Sequence, residues 1–448
     1  MSATTSEPTS KGAGLTKYVP ILSWIRTYDR SWLSMDLIAG LTLWGLVVPE
    51  AMAYAGIAGL PPQAGLYTLV AALLIYALLG TSRHLAVTAT SGSAALLASS
   101  VVAVMAATGA DASDTEAYAA YAVAFVLVTG LVFLAAALAR MGWVTQFLSK
   151  PVMDGFVLGL ALFVAVGQLY KLFGVEKPEG NTVEKFVGVI KELPEANWAT
   201  FVIGASALAL LFLLPRLNKK IPGGLVVLFA AIALSVALGL EENFGVEVVG
   251  ELPQGLPSIT LPTGVPLSAF LMMIIPALGV FLVAFGEGLG VAGEFAEKHG
   301  YEIDADQELN SGAIVNIASS LFGGMIAGGS MSASAVKEGA GARSQVSNLV
   351  TWVAVIVTLL FLTPLFAPLP EAVLAALIMH AVWHIIASRK LARLRRESRV
   401  EFWFGLLTFL GVVLIEVLAG MLIGMVASVL FVIYKTSKPH IGKLGRVP

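Results

Sequence analysis

The stretch DLIAGLTLWGLVVPEAMAYAGIAGLPPQAGLY, Asp36 to Tyr67, decides how this chain is read. Its apolar part exceeds the roughly 20 residues a bilayer-spanning helix needs, yet Pro49 and Glu50 stand side by side in its middle. A carboxylate near the bilayer centre costs about 3 kcal/mol on insertion scales, and more in simulations, so such residues mark substrate or ion pathways. Proline removes a backbone donor, and irregular backbone at membrane depth is tolerated where it lines a buried cavity. The segment predicts a helix broken beside Pro49, with a carboxylate turned toward a transport site.

The rest of the chain agrees with a membrane transporter. Of 448 residues, 57% are hydrophobic and 12% charged, against about a quarter charged in soluble domains, and the mean hydropathy is +0.86. No polar stretch is long enough to form a soluble domain. A net charge of −2 gives no electrostatic basis for nucleic-acid binding. With no cysteine, disulfides and thiolate metal sites are excluded. The N-terminus reads as a polar tail without a cleavable apolar core.

Hydrophobic runs fall near 38–58, 63–80, 90–107, 118–139, 152–172, 197–214, 222–240, 266–290, 311–326, 344–366, 370–387, 402–415 and 418–434. A short segment near 331–338 is too brief to span alone and is taken as a half-helix. The run at 90–107 follows directly on a strand-like sequence, LAVTAT (Leu85–Thr90). These make fourteen membrane segments. With the N-terminus inside, every Lys and Arg except Lys171, Lys177, Lys185 and Lys191 falls on the cytoplasmic side, as the positive-inside rule requires. Both termini are therefore expected in the cytoplasm of a multi-pass cell-membrane protein, with 294–308 an acidic cytoplasmic loop.

Seven segments per half is an odd number, so a duplication would be inverted. Glu50 occupies the first segment of one half and Glu287 the first of the other, while irregular stretches at 85–93 and 328–334 hold the third places. Paired discontinuous helices are the sequence mark of a midplane transport site. Two hydroxyl-rich turns open them, Thr88-Ala89-Thr90-Ser91-Gly92-Ser93 and Gly328-Gly329-Ser330-Met331-Ser332-Ala333-Ser334. Helix N-termini carry unpaired N–H groups and a partial positive charge suited to an anion. Either turn alone is a helix cap with close small-residue packing; their matching positions favour an anion site. Glu50 and Glu287 are the candidate proton-coupling acids, the alternative being neutral acids bonded to neighbouring helices. His380 and His384, four apart, lack the carboxylate of a metalloprotease motif and are taken as structural. Lys337 and Glu338 are expected as a solvated pair at a loop mouth. No constellation for an enzyme, cofactor or metal is present.

Several stretches together resemble the sulfate permease (SulP) family of anion transporters nearly end to end. They are Asp36–Tyr67, GTSRH (Gly80–His84), FLSKPVMDGFVLGLAL (Phe147–Leu162), IPGGL (Ile221–Leu225), VVGELPQGLPSITLP (Val248–Pro262), Glu297–Gly324 and Gly329–Val350. The resemblance implies an all-α membrane protein of two inverted seven-span repeats. A core domain (about 36–140 and 266–366) would move against a gate domain (about 141–265 and 367–434) in an elevator motion, usually in a homodimer. Residues 1–35 would be a cytoplasmic tail, and 435–448 resembles the lead-in to the family's cytoplasmic STAS domain. By position, the family's anion site corresponds to Glu50, Tyr54, Thr90, Met331, Ser332 and Ala333, to which the first turn adds Ser91. Many members have Gln at Glu50 and Arg at Ala333; an acid gained and a cation lost point to proton-coupled symport. The usual Tyr of the second-span signature is here Ala64, with no evident consequence for mechanism. Sulfate, bicarbonate and dicarboxylates remain open as substrates, as does sodium in place of the proton. Anion exchange, channel conduction and proton-coupled nucleobase transport on the same fold are the alternatives.

Overall fold

The computed structural model describes residues 19–427 apart from 144–149, 179, 218–222, 388–394, 397–398, 416, 418 and 425. Helices stand at the expected apolar runs: α1 Leu33–Ile57, α2 Pro62–Leu79, α3 Ser91–Thr108, α4 Thr115–Leu138, α5 Lys150–Gly167, α6 Trp198–Leu217, α7 Gly223–Leu238, α8 Leu267–His299, α9 Ala305–Leu321, α10 Met331–Gly339, α11 Val346–Val357, α12 Glu371–Ala387 and α13 Arg399–Leu414. A π-helical turn, Thr358–Leu362, extends α11. Among the described residues, 8 helical stretches are long and apolar enough to cross a bilayer, α3 included. Most of the run at 418–434, most of the basic cluster at 389–396, the tail before Val19 and the segment 435–448 lie outside the described residues.

Two expectations about local structure are corrected. Pro49 lies inside an unbroken 25-residue helix. Proline withholds one N–H, the donor to Gly45 four residues back, and that single missing bond does not end a helix whose other backbone groups have no water to turn to. The expected acidic loop at 294–308 is mostly helical: α8 runs 33 residues to His299, and α9 starts at Ala305 behind the N-cap Asp304. Asp304 accepts from the N–H groups of Asp306 and Gln307, so the polar sequence there serves as a helix start.

Between the helices lies one small sheet. Strand β1, Ala86–Ala89, pairs antiparallel with β2, Ala327–Ser330, with Ala86 opposite Ser330 and Ala89 opposite Ala327. A two-stranded sheet inside a membrane has backbone groups that must find partners. Side chains supply them. Asn316 of α9 holds both the N–H (2.9 Å) and the carbonyl (3.2 Å) of Ala327. Ser334 of α10 accepts from the Ala86 N–H at 2.8 Å. Thr68 of α2 accepts from the Met325 N–H at 2.8 Å, and Ser319 donates to the Met325 carbonyl at 2.7 Å.

Each half presents the same order, with its third segment entered through a strand, and the antiparallel register joins the two halves as an inverted pair. α9 packs along α4 and α2, α11 along α1, α13 along α5 and α12 along α6. The α1–α2 contact depends on Gly65, where any side chain would run into the Ala51 carbonyl, the residue after Glu50. At β2, a Cβ on Gly329 would lie 2.5 Å from the Cα of Gly288 in α8.

Candidate anion site at two helix N-termini

β1 delivers the chain to α3 through Thr90. Its hydroxyl accepts from the Ser93 N–H at 3.2 Å, and the Ser93 hydroxyl accepts from the Thr90 N–H at 3.3 Å, a reciprocal capping box. The Ser93 hydroxyl also lies 2.9 Å from the carbonyl of Ile326, just before β2. On the other side, Ser330 caps α10 by accepting from the Ala333 N–H at 3.2 Å. Each helix is thus tied through its first turns to the opposite strand, α3 by Ser93 and α10 by Ser334.

These caps leave the N–H groups of Ser91 and Gly92 in α3, and of Met331 and Ser332 in α10, without a partner in their own helices. The strand ends that feed the two helices, Ala89 and Ser330, stand at opposite ends of the strand pair, three residue steps apart, or about 10 Å at ~3.3 Å per residue. Since the strands run antiparallel, the helices leave in opposite directions and both positive ends turn toward the sheet between them.

α1 packs against β1, α3 and α10, and its residues Val47 and Ala51 share an apolar cluster with Ala89, Ala94 and Ala333. Glu50, on the same helix, is 6% exposed. Among the described residues its carboxylate forms no hydrogen bond and no ion pair. Tyr54, one turn on, is buried as well. Glu287 reaches the site from α8: a carboxylate oxygen lies 3.8 Å from where a side chain on Gly92 would begin, beside the first turn of α3. Thr90 and Ser91 are half-buried, while Met331 and Ser332 are exposed. Ala333 is wholly buried, with its N–H taken by Ser330. His380 lies edge-on to Phe212 of α6, with ring centroids 4.7 Å apart, a packing role.

Four polar residues around this core were not singled out as its supports. Asp36, fully buried, accepts from the N–H groups of Arg343 (2.8 Å) and Ser344 (3.2 Å), from the Ser344 hydroxyl (2.7 Å) and from the Tyr28 hydroxyl (3.1 Å). Glu308 holds the loop before β1, accepting from Thr81 N–H (2.7 Å), Thr81 hydroxyl (2.6 Å) and Tyr76 hydroxyl (2.9 Å). In the same loop, His84 stacks on His299 with centroids 4.1 Å apart. Burial, then the neighbouring His299 and Lys337, push the His84 pKa down to about 4. The fourth is Lys337. The expected solvated Lys337–Glu338 pair is not formed: Glu338 pairs with Lys298 (2.8 Å) and His299 (3.0 Å), and Lys337 is completely buried. The turn of α10 points successive residues about 100° apart, which sends one outward and the other into the core.

Comparison with known proteins places this geometry. The model of the Sulfate permease family matches residues 33–408. A probable sulfate transporter of Mycobacterium tuberculosis is 35% identical over 441 residues, covering 98% of this chain and 77% of that protein. The chloroplastic sulfate transporter 4.1 of Arabidopsis thaliana is 32% identical over 96% of this chain and 61% of its own length. Among solved structures, SLC26A9 superposes with a TM-score of 0.87 at 26% identity, over 94% of this chain and 69% of that one. The transmembrane domain of the cyanobacterial bicarbonate transporter BicA shares the fold at a TM-score of 0.76 and 22% identity, over 90% of this chain and 98% of that one. The protein is a multi-pass membrane protein and belongs to the sulfate permease family of anion transporters.

Proposed function

We propose that this protein is a secondary active transporter that carries a small anion together with a proton, Glu50 being the proton carrier. One observation carries the proposal most directly: a carboxyl group 6% exposed, with no bonding partner among the described residues, on the helix that packs against both α3 and α10. An ionised carboxylate so placed is costly to hold. An anion about 5 Å from it would be repelled by about 3 kcal/mol at an effective dielectric near 20. Protonation removes that repulsion, so each ligand strengthens the binding of the other by the same factor. The loaded site then moves without two opposed negative charges, and Glu287 is the second acid within reach of the α3 end.

Movement is proposed as an elevator. α1–α4 pack mainly with α8–α11, and α5–α7 with α12 and α13, which supports a core carrying the site and a gate beside it. Gly45 of α1 meets the Leu225 side chain of α7 across that division, a close approach that a larger residue at 45 would not permit. The chain is proposed to act as a homodimer in the cell membrane, both termini cytoplasmic, each protomer with its own site. Four N–H groups and hydroxyls recognise an oxyanion without choosing one, so sulfate, bicarbonate and dicarboxylates are the candidate substrates. Uptake of radiolabelled sulfate, bicarbonate, fumarate and succinate by proteoliposomes, at several pH values and with or without sodium, tests the proposal. Accumulation of at least one anion that grows as external pH falls is expected; uptake indifferent to the proton gradient for all of them contradicts it.

A further inference from the structure

Lys337 has no part in the mechanism above, yet it is 0% exposed inside a membrane domain. Its ammonium donates to the Asn348 side-chain carbonyl at 3.0 Å and to the Leu85 carbonyl at 3.4 Å. Both partners are acceptors, which suits an ammonium with three N–H bonds and no lone pair. Of the charged groups near it, Asp36 acts on it electrostatically without contact and accepts from neutral donors, the backbone N–H groups of Arg343 and Ser344 and the hydroxyls of Ser344 and Tyr28. Glu338, the next residue, is paired with Lys298 and His299. His84 stacks on His299. Among the described residues Lys337 forms no ion pair, so its charge is not cancelled by contact.

Its position in the fold is equally defined. The Leu85 carbonyl also accepts from Gln345 at 3.0 Å and Asn348 at 3.2 Å. Leu85 precedes Ala86, which stands opposite Ser330, the cap of α10. Lys337 follows Met331 by six residues in α10, so at ~1.5 Å per residue the lysine stands on the order of 10 Å from the free N–H groups of that turn.

We infer that Lys337 is the fixed cation of the anion site, acting through the low-dielectric core without touching the ligand. This rests on the proposed anion site and adds the residue that sets its charge preference. A unit charge ~10 Å away at an effective dielectric near 20 changes affinity by about tenfold per ligand charge. The signature is thus valence: a neutral lysine replacement weakens a divalent anion by about the square of the factor for a monovalent one. A purely structural lysine would weaken both alike.

The test is equilibrium binding of inorganic sulfate and of nitrate to the purified full chain, for wild type, Lys337→Gln, Lys337→Met and Lys337→Arg. Gln and Met are expected to lose about tenfold for nitrate and about a hundredfold for sulfate, and Arg to retain most affinity for both. Equal losses for the two anions in the neutral variants overturn the inference. So does failure of both neutral variants to fold while Lys337→Arg folds, which assigns the lysine to the scaffold. If wild type itself binds neither these anions nor the dicarboxylates, the anion site is at fault and the inference falls with it.

Discussion

Glu50 and Lys337 show how unevenly a sequence discloses its own chemistry. Glu50 was legible because an acid within an apolar run is conspicuous wherever the run folds. Lys337 reads in the sequence as one half of a solvated pair with Glu338 at a loop mouth. Its true partners, Leu85 and Asn348, come from other elements, and no local signal announces them. The small residues at the caps act in the same local way. Ser93 closes the capping box on Thr90 and bonds the carbonyl before β2. Ser93→Ala is expected to cost roughly 1–2 kcal/mol of stability and to weaken anion binding by loosening the start of α3; thermal unfolding with and without anion measures both. His84 gives a pH prediction. Its folded pKa of about 4 lies below the unfolded value near 6.5. Between those values the unfolded chain holds more protons, so stability is complete above about pH 6.5 and falls as pH drops toward 4. His84→Gln should flatten that decline, read as thermal midpoint against pH.

Elements were legible where periodicity and length speak alone, and less so where neighbours decide. Among the described residues, helices α1 to α13 stand near the expected segments, and LAVTAT is a strand leading into a helix as read. Pro49 misled because its local rule favours a break. In the folded core the lone missing donor costs less than exposing several backbone groups would. The two discontinuous segments are also unequal, with 18 residues in α3 and 9 in α10. Where the backbone itself makes the contact, prediction is direct. Gly65→Ala forces α2 off the Ala51 carbonyl beside Glu50, and is expected to destabilise by roughly 2 kcal/mol or more. Loss of folded yield or a lowered unfolding midpoint measures it; a fully stable Gly65→Ala protein would show that α1 and α2 can separate at Glu50 without cost.

At the scale of the whole molecule, the inverted halves bring two helix starts to one small sheet, α8 brings Glu287 beside the first turn of α3, and α1, which carries Glu50, packs against β1, α3 and α10. The order of segments carried that plan in the sequence. The tie of α3 to the residue before β2 and of α10 to β1 emerges only when the halves meet. The central claim is that Glu50 links proton and anion movement, and one comparison tests it most directly. Proteoliposomes with an inward proton gradient are loaded with the wild-type protein or with Glu50→Gln, and accumulation of the anion identified for the wild type is followed alongside internal pH. The account predicts that wild type concentrates the anion and acidifies the lumen with it, while Glu50→Gln does neither and at most equilibrates the anion across the membrane. Concentrative uptake by Glu50→Gln with unchanged pH dependence would contradict the account and leave Glu50 a structural acid.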